Sequence, residues 1–419
     1  MVVQLALLAL LAAFAPSPAT IAATPSAVVA VNAAEQPGPW VGTWEAAQVR
    51  AARIGPSETG FTDQTVRDVV HLSVGGVDVR IRVSDVFGMG PLHINDVRVA
   101  LSAGGARTVP GTSRRVTFDG KDQVTIPAGH REFSDPVRMR VGNGQNLAIS
   151  IFFRHATGPA TWHPVAITRS YYSTPGDHSA AASGADFPHS VGAWYFLDGV
   201  DVVNPSVYGA VVTLGPSTTD GVGSTVGANE RYPDDLARHL LGLPAGLRLS
   251  VLNAGLSGNQ LLTNGGTAGQ SALERFDRDV LEQTGVRVVI IWEGTNDIGD
   301  HAYMTARRLI AGYRRLIAEA HAHGVAVVGA TLQPDEGARY YSAHGNEVRE
   351  QVNRWIRTSG AFDAVADFDA VLRDPADPLE LRPAYDSGDH LHPSDAGYLA
   401  IADSINPWLL ADLALGEWL

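Results

Sequence analysis

Four short polar segments carry residue types that suit acyl transfer. The first is Gly215-Pro216-Ser217-Thr218-Thr219-Asp220-Gly221. A serine hydroxyl is a weak nucleophile and needs a base to take its proton. The last segment, Asp389-His390-Leu391-His392-Pro393, offers one. An imidazole can accept a proton near neutral pH, and a carboxylate can fix its tautomer and stabilise the imidazolium. Asp389 and His392 are three residues apart, close enough in a tight loop for one to orient the other. The charge that develops on a carbonyl oxygen needs fixed donors. Gly255, in Asn253-Ala254-Gly255-Leu256-Ser257-Gly258-Asn259, has no Cβ to block approach to its N–H. Asn296, in Gly294-Thr295-Asn296-Asp297, offers a side-chain amide, and Ser217 offers its own N–H. Asp220 and Asp297 are expected to hold their loops through backbone N–H groups. Glu293 is expected to be solvated or loop-bonded rather than a substrate contact.

These segments require strands and helices to bring them together. From Tyr208 onward the pattern alternates strand, loop and helix. Strands are expected at 210–214, 249–252, 286–292, 325–330 and 364–368. Helices are expected at 233–243, 273–283, 303–323, 346–358 and 394–405, the last with Ser394 as its N-cap. Alternation of this kind implies a parallel sheet covered on both faces, with ligands at the carboxyl ends of its strands. The four polar segments fall at those ends. From about Trp40 to Val200 the period is two. Val77, Val79, Ile81 and Val83 alternate with polar residues, as do Leu147, Ile149, Ile151 and Phe153 with theirs. Gly75-Gly76 reads as a hairpin turn between two such strands. No helix is expected in this half. Trp162, His163, Trp194 and Tyr195 suit either a core or a carbohydrate-stacking surface, and core is the commoner fate of such aromatics.

The four segments, in this order, resemble the SGNH hydrolase superfamily, also called GDSL esterases and lipases. The resemblance covers about 208–419. It implies an α/β fold: a flavodoxin-like three-layer αβα domain with a parallel sheet. It also implies a nucleophile at Ser217, a base and acid at His392 and Asp389, and an oxyanion hole of Ser217, Gly255 and Asn296. The stretches around TDGVGSTVGANERYPDDLA and WEGTNDIG are similar to a secreted subgroup with an extra N-terminal β domain. Some members of that subgroup resemble polysaccharide deacetylases. The departure is Pro216, which stands where the family has aspartate. It removes an acceptor and an N–H and locks φ near −65°.

Composition sets the outer limits. The 419 residues include no cysteine, which excludes a disulfide framework, a zinc–cysteine site and a thiol nucleophile. A net charge of −13 disfavours nucleic acid as a partner. The run Leu5–Ala15 has signal-peptide length, with small residues and possible cleavage points after Ala23, Ala33 or Ala34. It is too short to span a bilayer, so no stable membrane insertion is expected. The expected organisation is a signal peptide over 1–34, an antiparallel β-sandwich or jelly-roll-like domain over 35–204, and an SGNH hydrolase domain over 205–419. The expected function is secreted hydrolysis of short acyl or acetyl esters, on polysaccharide or on small esters and lipids, with no metal and no cofactor. The rival is a glycan-binding protein whose nucleophile loop is disabled by Pro216.

Overall fold

The computed structural model describes residues 40–416, and the leader expected over 1–34 lies outside the described residues. The β-rich half is built around two large antiparallel sheets, with two smaller strand pairs, Leu92–Ile94 with Val124–Ile126 and Trp162–His163 with Trp194–Tyr195. One large sheet runs Trp40–Glu45, Leu197–Val203, Gly76–Ser84 and Arg131–Phe133, with Val137–Val141 also paired to Gly76–Ser84. The other runs His189–Val191, Ser170–Tyr172, Gln64–His71, Asn146–Phe153, Asp96–Leu101 and Arg114–Val116. Val79, Ile81 and Val83 of the first sheet share one core with Leu147, Ile149, Ile151 and Phe153 of the second.

The alternating polar residues are less exposed than a simple sandwich requires. Arg67 on Gln64–His71 is fully buried. Its guanidinium donates to Ser150 Oγ at 2.8 Å, Ala106 O at 2.6 Å and Ala181 O at 2.8 Å, and stacks on Phe187. Loops therefore cover the outer face of this sheet, and buried polar groups there are satisfied by backbone.

Gly75-Gly76 is not a hairpin. The strands on either side belong to different sheets, so the segment crosses from one to the other. Neither glycine has the positive φ that a two-residue hairpin turn requires. Their role is close approach: a Cβ on Gly75 would sit 2.3 Å from Val141 O. One short helix, Gly55–Thr59, also departs from the all-strand expectation for this half.

The second half holds five parallel strands: β1 (Val207–Gly215), β2 (Arg248–Gly255), β3 (Val286–Ile291), β4 (Ala326–Ala330) and β5 (Ala364–Ala366). Their spatial order is β2-β1-β3-β4-β5. This is the flavodoxin-like order, whose switch point lies between β1 and β3. The expected helix at 273–283 is divided, with an α-helical turn Ala272–Phe276 followed by a wider π turn Asp277–Leu281. Ser394 does cap Asp395–Ser404, accepting from Gly397 N. Short helices Thr295–Asp300 and Phe368–Leu372, and a longer Pro407–Leu415, add to the expected set. No described helix is long and apolar enough to cross a membrane.

Strand β2 is the edge of the parallel sheet, and an unpaired edge is a liability. Here the β-rich half covers it. Val251 N donates to Ser73 Oγ at 3.2 Å, and Gly42 N donates to Thr284 O at 2.9 Å. Arg82 Nη2 donates to Gln283 Oε1 at 3.1 Å. The two halves accordingly form one compact unit.

Candidate active site

Strand β1 ends at Gly215 and the chain turns at once into the one-turn helix Ser217–Asp220. Only glycine fits at 215, because a Cβ there would meet Thr219 Oγ1 at 1.9 Å. The Pro216 carbonyl accepts from Thr219 N at 3.0 Å and Asp220 N at 2.9 Å. The backbone thus closes the turn without a side-chain acceptor at 216. Ser217 O accepts from both Gly221 N and Val222 N at 2.9 Å, while Ser217 N has no partner among the described residues.

The loop before the helix Asp395–Ser404 brings His392 to Ser217. His392 Nε2 lies 2.7 Å from Ser217 Oγ, and His392 Nδ1 lies 2.6 Å from Asp389 Oδ2. A carboxylate only accepts, so the proton sits on Nδ1 and the Nε2 lone pair faces the serine hydroxyl. Asp389 Oδ1 accepts from Leu391 N at 3.0 Å and His392 N at 2.9 Å. Partial burial works against its charge, but these bonds and the imidazole hold the carboxyl below its ordinary range. His390 turns away, half exposed, with Nδ1 2.8 Å from Asp386 Oδ2. Each of the two histidines is therefore committed to its own carboxylate.

The N–H groups expected to receive an oxyanion are not equally free. Gly255 N already donates to Asn253 Oδ1 at 2.9 Å. Its face is also closed, since a Cβ on Gly255 would lie 2.2 Å from Asp220 N. Gly255 is a packing glycine between β2 and the nucleophile helix. Three residues on, Gly258 sits in a turn with φ +80° and its N–H has no partner among the described residues. Asn296 Nδ2 donates to Asn259 O at 2.8 Å, and Tyr340 OH lies 2.9 Å from Asn296 Oδ1. A carbonyl can only accept, so the amide orientation is fixed and its second N–H remains.

Buried side chains set these loops in place. Asp220 Oδ2 accepts from Ser257 N at 2.9 Å and Ser257 Oγ at 2.6 Å. Asp297 accepts from Leu261 N at 2.7 Å and Leu262 N at 3.0 Å. Sequence reasoning missed Arg275, which is wholly buried. It donates to Ala254 O at 2.8 Å, Asn259 Oδ1 at 2.9 Å and Gly215 O at 3.3 Å. It also pairs with Asp279 at 3.2 Å and touches Glu293 at 3.5 Å. The signal for it was weak, because an arginine on an amphipathic helix reads as surface.

Glu293 is neither solvated nor a substrate contact, because it is fully buried. Burial outweighs the attraction of Arg275 and pushes its carboxyl up to about 8. Burial pushes Asp297 up to about 6. Between the ordinary carboxylate range and these values, the folded state binds more protons than the unfolded chain. Stability contributed by such groups is fully present below the ordinary carboxylate range and is lost as pH rises from there, up to about 6 for Asp297 and about 8 for Glu293. Glu293→Gln is therefore expected to unfold several degrees above the parent at pH 9 and level with it at pH 5. Thermal melts at the two pH values check this. A variant less stable than the parent at pH 9 would show that Glu293 is held as a paired anion.

Residues 213–400 match the family model described as GDSL-like lipase/acylhydrolase. Over those residues the chain is similar to GDSL-like lipases and acylhydrolases. Among solved structures, this chain is similar to an aryl esterase from M. smegmatis, at 16% identity and TM-score 0.40, covering 49% of this chain and 97% of that one. It is also similar to a carbohydrate acetylesterase family member from Sinorhizobium meliloti, at 17% identity and TM-score 0.40, covering 50% and 99%. A GDSL-like lipase from Bacteroides thetaiotaomicron VPI-5482 matches at 18% identity and TM-score 0.37, covering 48% and 87%. The comparison with curated proteins found no significant match. In the β-rich half, Trp162, His163, Trp194 and Tyr195 are all buried, so they form core and offer no stacking surface. Trp162 stacks on Tyr195, with ring centroids 5.9 Å apart.

Proposed function

We propose that this chain is an exported serine esterase that cleaves short acyl or acetyl esters of polar alcohols. The observation that carries the reading is the unbroken chain of contacts from Ser217 Oγ through His392 to Asp389, at 2.7 and 2.6 Å. Ser217 Oγ attacks the ester carbonyl carbon and its proton passes to His392 Nε2. The N–H groups of Ser217, Gly258 and Asn296 receive the oxyanion. His392 then protonates the departing alkoxide, leaving an acyl-Ser217 ester. Water repeats the sequence and releases the acid.

The polar alcohol is supported by a cleft of about 200 Å³ lined by Arg50 and Phe87 of the β-rich half and by Asn264, Gln270 and Glu274. Gly266 and Gly269 of its lining flank Ala268, whose Cβ would lie 3.1 Å from a Cβ on Gly258. Such walls suit hydroxylated groups better than a long alkyl chain. Export is supported by the apolar run Leu5–Ala15 and the small residues after it. Nothing in the nucleophile turn favours the glycan-binding rival, because the turn is closed by the Pro216 carbonyl.

The test is hydrolysis of an ester panel from acetyl to long acyl chains, including acetylated xylan, with fluorophosphonate labelling mapped by mass spectrometry. Fast release of acetate and a label on Ser217 are expected. A preference for long chains would overturn the substrate class, and no hydrolysis with no label would overturn the enzyme.

A further inference from the structure

His163 belongs to the β-rich half, on the two-residue strand Trp162–His163, yet its ring reaches the helix that carries Ser217. The side chain is buried. Nδ1 lies 2.6 Å from Ala47 O, and Nε2 lies 3.1 Å from both Val165 O and Asp220 Oδ1. All three partners are acceptors. A neutral imidazole has one N–H and would set a lone pair against an oxygen on its other side. The imidazolium satisfies both sides. Burial alone would favour the neutral ring, but the Asp220 charge, its hydrogen bond and the two carbonyls outweigh it and hold the ring above its ordinary range. The Trp194 ring packs 5.2 Å away, and Glu45, His71, Arg231 and Asp234 line the same small cavity.

Asp220 stands three residues after Ser217 on a single helical turn. Its second oxygen holds Ser257 N and Oγ, and Ser257 precedes Gly258. One carboxylate therefore joins the nucleophile turn, the turn of the free Gly258 N–H, and a cation supplied by the β-rich half. A helix of one turn has too few internal bonds to fix its own position, so outside contacts must do it.

We propose that His163 is a positioning residue through which the β-rich half, acting on Asp220, sets Ser217 and the Gly258 N–H relative to His392. It touches no substrate. The inference rests on the ester-hydrolase reading of Ser217.

The experiment compares the full chain with His163→Gln, Asp220→Asn and the double variant, using the best ester of the panel and active sites counted by phosphonate labelling. A misplacement of about 1 Å costs about 100-fold in rate. The expected result is a kcat per active site lower by about 10- to 100-fold with KM within about twofold. The double variant should fall no further than the worse single, because both break one link. Folded variants with the parent kcat per site would overturn the proposal, even with a lower melting temperature. Additive losses would overturn it as well. If His163→Gln does not fold, His163→Asn takes its place and is judged by the same criterion. An inert, unlabelled parent would sink the esterase reading and this inference together, whereas an active parent with unaffected variants would sink this inference only.

Discussion

Ser217→Ala is expected to lower kcat for ester hydrolysis by about 10⁴-fold or more, with KM for the same ester little changed. The hydroxyl faces His392 Nε2 at 2.7 Å, and the N–H of the same residue has no partner among the described residues. Removing it leaves the oxyanion donors and the imidazole, so a residue of catalysis through activated water should persist. His392→Ala should cost about as much, and the double variant should lose little more, because the groups act as one unit. Asp389→Asn should cost less than either. Its carboxylate only orients and stabilises the ring, and the loop bonds from Leu391 N and His392 N can still be made to the amide oxygen. Steady-state kinetics on one chromogenic acetate ester checks all four variants. A Ser217→Ala enzyme within tenfold of the parent would mean that hydrolysis uses another nucleophile.

The parts of this site that the sequence made visible are those that pattern alone can carry. The strand β3 is a continuous apolar run because both faces are covered, and such runs have few alternatives. The polar loops that follow β1, β2 and β3 stand out for the same reason: glycine and amides have no business in a plain connection. The choice between Gly255 and Gly258 was not visible. Both lie in one loop, and only the bond from Gly255 N to Asn253 Oδ1 removes the first as a donor. Arg275 and His163 were hidden for a different reason. Each is a charged or polar residue in an ordinary local pattern, and its burial is decided by chain segments tens of residues away. Gly75-Gly76 misled because the dipeptide signals close backbone approach and a hairpin equally well. Pro407–Leu415 went unread, although Asn406-Pro407 marks its start and Gly416 its end.

Arg275→Met is expected to cost about 3–5 kcal/mol of stability and to lower kcat as well. Methionine fills much of the volume, so the loss is one of charge and hydrogen bonds rather than packing. The guanidinium meets the carbonyl ends of β1 and β2 at Gly215 and Ala254, and the Asn259 side chain beyond. Gly215 O would keep its bond from Leu256 N at 3.0 Å. Asn259 Oδ1 would lose the arginine donor, and a buried unpaired acceptor costs about 1–3 kcal/mol. Asp279 would keep Arg278, 2.7 Å away, so it would not be stranded. Glu293 would lose the cation beside it, and its carboxyl would be held neutral to still higher pH. The loss of kcat follows because Gly215 leads directly into Pro216-Ser217, and Asn259 carries the carbonyl that orients Asn296. Arg275→Lys separates the two effects. A lysine can restore the pairing with Asp279 but cannot reach three acceptors in the arginine fork. It should recover part of the melting temperature and little of kcat. An Arg275→Met protein as stable as the parent would show that the buried cation contributes no net stability, as well-packed apolar replacements of ion pairs sometimes do. The activity loss would then stand as the separate measure of what Arg275 does for the loops around Ser217.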